Sequence, residues 1–113
     1  MHEYSIVSAL MDRIEQEAQG RGATRVRAVK VRIGAMSGVE VDLFRTAYTL
    51  VADTTMCAGS SLDVEVVPVR WACPRCEAPP DAGARLICPS CGGAVRLVSG
   101  DEIMLEQLEL EVA

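Results

Sequence analysis

The sequence predicts an α+β fold: a three-stranded mixed sheet covered on one face by two helices, with a four-cysteine module inserted before the last strand. Three observations carry that expectation. Two stretches space their apolar residues three and four apart, as a helix with one buried face requires. Three others alternate apolar with charged residues, the rhythm of a half-buried strand. Before the last of these, residues 68–101 keep neither rhythm and hold all five prolines and two Cys-x-x-Cys pairs.

From Tyr4 to Gln19, the residues Val7, Leu10, Met11, Ile14 and Ala18 fall on one helical face, with Asp12, Arg13, Glu15, Gln16 and Glu17 on the other. Gly20 and Gly22 supply a C-terminal stop. Residues 24–33 alternate Val29, Val31 and Ile33 with Lys30 and Arg32, while Val26 and Ala28 stand in the opposite phase. That flip predicts a bulge, or burial on both faces, near Ala28 and Val29. After a turn at Gly34–Gly38, residues 40–52 return to helical spacing through Leu43, Phe44, Ala47, Tyr48, Leu50 and Val51. Leu62, Val64 and Val66 alternate with Asp63 and Glu65 in a second strand. In the final stretch, Glu102 to Val112, a helix competes, but Leu108 and Leu110 alternate with Glu109 and Glu111 and favour a strand.

Charge supports one sheet. The first strand carries Arg25, Arg27, Lys30 and Arg32; the others carry Asp63, Glu65, Glu102, Glu106, Glu109 and Glu111. Opposite charges on neighbouring strands contribute roughly 0.2–1 kcal/mol per pair. A phosphate-binding strip is the competing reading of the basic run.

At 113 residues the chain fits one domain with a small satellite. A net charge of -5 argues against broad electrostatic capture of nucleic acid or anionic membrane, and 4% aromatic residues leave little for base stacking. No apolar run approaches the roughly 20 residues that span a bilayer. Met1-His2-Glu3-Tyr4 does not open a signal peptide, so a cytoplasmic protein is expected.

Cys73-Pro74-Arg75-Cys76 and Cys88-Pro89-Ser90-Cys91 read as a metal site in a chain of that compartment. Each tight turn places two sulfurs on one side of the backbone. Four thiolates suit a closed tetrahedral zinc site that is structural, because no position is left open. Such a metal would fold residues 68–101 into a zinc ribbon, since the segment has too little apolar content to fold unaided. A rubredoxin-like iron would accept the same ligands. A thioredoxin-like dithiol fits less well, because two pairs occur in a loop-rich segment. Arg70, Arg75, Arg85 and Arg96 against Glu77, Asp81 and Asp101 give the module +1; four thiolates and Zn²⁺ take it to about -1. That is a poor footprint for nucleic acid. Cys57 has no partner at ligand spacing and is expected to pack as a small hydrophobe.

His2 is the only histidine. Its bulk favours retention of the initiator methionine, which sets an amine one residue before the imidazole. Glu3 adds an oxygen donor, and the helix that follows anchors the tip. Amine, backbone nitrogens and imidazole can approach one plane, and nitrogen-rich tetragonal coordination selects Ni(II) or Cu(II) over zinc.

Met1-His2-Glu3 leading into a helix, joined to the Cys-x-x-Cys ribbon, resembles the HypA/HybF family of hydrogenase maturation factors. The Val31-x-Ile33-Gly34 strand end, Ser37-Gly38-Val39, Gly59-Ser60-Ser61-Leu62 and Gly100-Asp101-Glu102 share the resemblance, which covers essentially the whole chain. It implies a nickel metallochaperone that hands Ni(II) to [NiFe]-hydrogenase large-subunit precursors together with a HypB-type GTPase. Carried over by position, His2 is the principal nickel ligand. Glu3 is a secondary ligand or orients the partner contact, and Cys73, Cys76, Cys88 and Cys91 bind structural zinc. Some relatives complete the nickel shell with a further histidine from the zinc module. This chain has none, so its fourth donor is the terminal amine, a carboxylate, water or a partner group. On this reading residues 1–67 with 102–113 form the nickel-binding α/β domain and 68–101 the zinc module. The protein is not an enzyme, since it lacks a Ser/His/Asp set and a phosphate loop. It binds neither nucleic acid nor membrane, and a weak homodimer is compatible with it. The alternative is a zinc-ribbon interaction adaptor with no nickel role.

Overall fold

The computed structural model describes residues 2–76, 87–88 and 90–112, with the side chain of His2 outside the description. The described chain runs α1 (His2–Gly20), β1 (Ala23–Gly34), α2 (Val41–Ala52), β2 (Ser61–Val67), β3 (Arg70–Ala72), β4 (Arg96–Ser99) and β5 (Ile103–Val112). The expected helix stop holds. The N–H groups of Arg21 and Gly22 donate to the carbonyls of Ala18 and Gln19, and Gly22 takes a φ of +70°, which glycine adopts without a Cβ penalty.

β2, β1 and β5 form one mixed sheet in that order. β1 lies parallel to β2, with α2 as the crossover, and antiparallel to β5. The sheet face under the helices presents Val26, Val29, Val31 and Ile33 of β1, all buried. Leu62 and Val64 flank them on one side, and Leu105, Leu108 and Leu110 on the other. From above come Val7, Leu10, Met11, Ile14 and Ala18 of α1, all five of the residues that helical spacing selects. α2 contributes Phe44, Ala47, Tyr48 and Ala52. Fully burying a side chain as large as Phe44 contributes roughly 1.5–3 kcal/mol. Cys57 is fully buried in this core, as a small hydrophobe would be. Leu43 and Leu50 are the exceptions to the expected pattern, at 53% and 63% exposed. They sit seven residues apart on the flank of α2, while the residues that reach the core lie one position further on.

The phase flip in β1 is a bulge. Val26 opposes Leu110 and Ala28 opposes Glu109, so Arg27 is the extra residue. Inserting one residue puts Val26 and Val29, three apart, on the same buried face. A second irregularity opposes Lys30 to Gln107 and Val31 to Leu105, which leaves Glu106 as the extra residue of β5.

The outer face pairs basic β1 with its acidic neighbours. Arg32 Nε lies 3.3 Å and Lys30 Nζ 3.7 Å from the Glu65 carboxylate, with Lys30 also 3.8 Å from Glu106 and Arg27 3.8 Å from Glu111. These pairs, half-exposed at Lys30 and Arg32 and exposed at Arg27, are worth little each, about 0.2–1 kcal/mol, but their signs suit this strand order.

β3 and β4 form a separate antiparallel pair. The chain enters it from β2 through Pro68-Val69 and returns to β5 through Gly100-Asp101. Both passages meet the end of β1. Gly34 donates its N–H to Glu102 O at 2.8 Å, Ala35 to Val67 O at 2.9 Å and Met36 to Gly100 O at 2.6 Å. Backbone packs on backbone here, because a Cβ on Gly34 would lie 2.2 Å from the Gly100 carbonyl carbon.

Candidate metal centre

Cys73 follows β3 directly, and Cys76 closes the turn after it. Cys88 follows the bridge between Ile87 and Ala94. Its N–H donates to Gly93 O at 2.7 Å and its carbonyl accepts from Gly92 at 2.9 Å, with Gly92 at a φ of +73°. Two short backbone turns thus face each other from opposite sides of a hairpin. The sulfurs of Cys73, Cys76, Cys88 and Cys91 all lie within 4.8 Å of one another. Cys73 Sγ and Cys91 Sγ are 3.6 Å apart. Four sulfurs at roughly 2.3 Å from one zinc have tetrahedral edges of about 3.8 Å, whereas a disulfide would need about 2.05 Å. The donor set and its spacing fit zinc. Cys73 and Cys88 are buried while Cys76 and Cys91 are exposed, so the cluster has one closed side and one outward side.

The backbone prepares the inner pair for a cation. The Cys76 N–H donates to Cys73 Sγ at 3.4 Å. That bond and a second from Arg75 hold the Cys73 thiol down at about 6, well below the ordinary thiol range. The amides of Cys91 and Ser90 lower Cys88 in the same way. Cys76 moves in the opposite direction. Hydrogen bonding among the crowded thiols, with Cys91 foremost, pushes it up to about 12. Four thiolates this close need a positive centre, which a divalent ion supplies. One residue that spacing did not reveal is Arg75. A Cβ on Gly93 would fall 2.8 Å from its guanidinium and 3.4 Å from Cys91 Sγ, so a positive charge of the first turn reaches the second. Only the glycine in Cys91-Gly92-Gly93 hinted at such a close approach.

The other expected ligands stand at the start of α1. The backbone of His2 opens the helix, while its side chain and Met1 lie outside the described residues. Glu77, Asp81 and Arg85 of the module also lie outside them. The Glu3 carboxylate accepts a hydrogen bond from the Glu40 N–H at 3.2 Å. Glu40 is the N-cap residue of α2, and its own side chain makes no capping bond. A carboxylate at this helix start is favoured by the unpaired N–H groups there. Glu3 therefore ties the first turn of one helix to the first turn of the other, a role that sequence reasoning could not see across 37 residues. The structure gathers the four cysteines and joins Glu3 to Glu40. Among the described residues, no helix is long and apolar enough to cross a membrane.

Comparison with known proteins agrees with this geometry. Residues 1–110 match the family described as "Hydrogenase/urease nickel incorporation, metallochaperone, hypA". The chain is 41% identical to the hydrogenase maturation factor HypA of Nitrosospira multiformis, over 97% of each chain. It is 38% identical to that of Streptomyces avermitilis, over 98% of this chain and 88% of the relative. Among solved structures it resembles the solution structure of the Ni metallochaperone HypA from Helicobacter pylori, with a TM-score of 0.78 at 29% identity over 98% of each chain. With the fold, the four-cysteine cluster and the whole-chain match in agreement, the chain belongs to the HypA family of nickel-incorporation metallochaperones.

Proposed function

We propose that this protein carries Ni(II) on the start of α1, with His2 as principal ligand and Glu3 beside it, and delivers it during [NiFe]-hydrogenase maturation. Cys73, Cys76, Cys88 and Cys91 hold the resident zinc. The single observation that supports the first part is the position of His2 as the first residue of a helix that the core holds firmly. The amide nitrogens at positions 2 and 3 fall in the first helical turn, where no carbonyl lies one turn earlier in the helix. Imidazole and backbone nitrogens there suit a square-planar ion. Glu3 shares its carboxylate with the Glu40 N–H, so it positions the tip as well as offering an oxygen. Of the donors left open for the fourth place, a carboxylate has a source within the chain in Glu40, whose backbone meets Glu3.

The zinc site supplies no open coordination position, and its chemistry is to fold and stiffen the hairpin around it. Residues 68–101 then serve as a docking module and residues 1–67 with 102–113 as the nickel-bearing domain. The protein performs no reaction of its own. A HypB-type GTPase supplies nucleotide hydrolysis, and the hydrogenase large-subunit precursor receives the metal in the cytoplasm. The chain is also free to form a weak homodimer.

Calorimetric titration of the zinc-loaded, tag-free chain with Ni(II) tests this. His2→Ala should lose stoichiometric nickel binding with zinc content and far-UV circular dichroism unchanged. Equal nickel binding by wild type and His2→Ala would overturn the assignment. Glu3→Gln, which keeps an acceptor for the Glu40 N–H, should weaken binding less than Glu3→Ala if positioning is part of its role.

A further inference from the structure

Among the described residues, β5 pairs with β1 along one edge only, so the sheet ends in a ten-residue strand with an open second edge. The opposite edge strand, β2, is shorter, and the Arg45 guanidinium of α2 donates to its Leu62 carbonyl at 3.3 Å. Beside β5 runs a groove of about 410 Å³ between the strand and the second half of α1. Leu105, Leu108 and Leu110 form its apolar floor, and Arg13 and Arg21 stand on its helical wall. The other face of the same strand carries Glu106, Glu109 and Glu111, all exposed.

We propose that the open edge of β5 docks an extended segment of a partner protein in which apolar and basic residues alternate. Main-chain hydrogen bonds would extend the sheet, with the two side-chain rows setting the specificity. Apolar residues of the incoming strand fall toward the leucine floor, under the aliphatic stems of Arg13 and Arg21. Its basic residues fall beside the glutamate row.

β5 already accepts such a strand on its paired edge. There Val29-Lys30-Val31-Arg32-Ile33 lies with its apolar residues under the helices and Lys30 3.8 Å from Glu106. Glu109 makes no ion pair among the described residues, which leaves its charge for the open side. Leu108–Val112 is free of bulges on β5 and offers roughly 17 Å of regular strand at about 3.4 Å per residue. A second copy of this chain is the wrong occupant. β5 laid against β5 would set glutamate rows side by side, and like charges on adjacent strands repel. The charges that keep this edge from pairing with itself select a basic partner.

The test uses the whole zinc-loaded, nickel-free chain labelled with ¹⁵N, so its outcome does not depend on the nickel assignment. The probe is a capped heptapeptide alternating valine and lysine; the control alternates valine and glutamate. The lysine peptide should shift and protect amides of residues 105–112, leave β2 unchanged, and bind more weakly as salt rises. Glu109→Lys, an exposed substitution, should weaken binding by roughly threefold to tenfold at unchanged circular dichroism. Equal binding of the two peptides, perturbation centred on β2, or no perturbation at millimolar peptide would overturn the proposal. So would sedimentation showing a dimer whose β5 amides are protected without peptide.

Discussion

Replacing Gly34 with alanine should unfold this protein at markedly lower denaturant, although it adds a single methyl group. The added Cβ would sit 2.2 Å from the Gly100 carbonyl carbon, 2.3 Å from its oxygen and 2.7 Å from the Asp101 nitrogen. All three are backbone atoms, so no change of rotamer relieves the clash. Reaching an ordinary carbon–carbon contact of about 3.5 Å requires the crossing to open by roughly 1 Å. Two hydrogen bonds span it, Gly34 N–H to Glu102 O at 2.8 Å and Met36 N–H to Gly100 O at 2.6 Å. Overpacking costs about 1–3 kcal/mol and each weakened bond up to about 1 kcal/mol, so a loss of about 3 kcal/mol is expected. With a urea dependence of roughly 1–3 kcal/mol per molar, the unfolding midpoint should fall by about 1 M or more. The assay is urea unfolding followed by circular dichroism, with zinc content measured on the same samples. Gly20→Ala is the control. Nothing lies within 4 Å of a Cβ there, and alanine in place of glycine in a helix should raise stability by about 0.5–1 kcal/mol. A Gly34→Ala midpoint within about 0.3 M of wild type would show that the end of β1 and the Gly100-Asp101 link do not cross in backbone contact.

Two further outcomes follow from the metal site and the core. Cys73→Ser should lose zinc and the amide protection of β3 and β4, while β1, β2 and β5 keep theirs, because a three-ligand site is no longer closed; an unchanged zinc content by atomic absorption would refute the four-thiolate site. Burial pushes the Tyr48 phenol up to about 12, against an opposing pull from its 2.7 Å bond with Ser60, so the folded state prefers the neutral phenol. Its stabilisation is complete below the unfolded value of about 10 and is lost as pH rises from there through about 12. Urea midpoints taken across that range should fall more steeply for wild type than for Tyr48→Phe; parallel profiles would show that this phenol is not held neutral by burial.

Much of this architecture is legible in the sequence because it is periodic. One period of 3.6 picks out Val7, Leu10, Met11, Ile14 and Ala18 without error, since a single buried face needs only local geometry. Even the phase flip in β1 reports a bulge, because a buried sheet face cannot tolerate a strand that changes sides. The cysteine pairs are equally local: two residues between ligands is the span of one tight turn. Leu43 and Leu50 mislead because hydrophobicity marks the helix and not which of its flanks the sheet reaches.

Pairings across the chain were decided elsewhere. That β1 runs parallel to β2 and antiparallel to β5 depends on how α2 and the ribbon return the chain, which alternation within a strand does not encode. Glu3 meeting Glu40, Arg75 reaching Gly93 and Gly34 crossing Gly100 are contacts between residues distant in sequence. Each closes only after the core has placed both partners. The sequence by itself therefore determined the two helices and the three strands of the main sheet, the burial of α1 and the four thiols available to a metal, but not the short strands β3 and β4, whose segment keeps no rhythm. Tertiary structure alone decided strand order, the joint between sheet and ribbon, and the tie between the starts of α1 and α2 through Glu3 and Glu40, because those rest on packing and backbone approach and not on residue type at a fixed spacing.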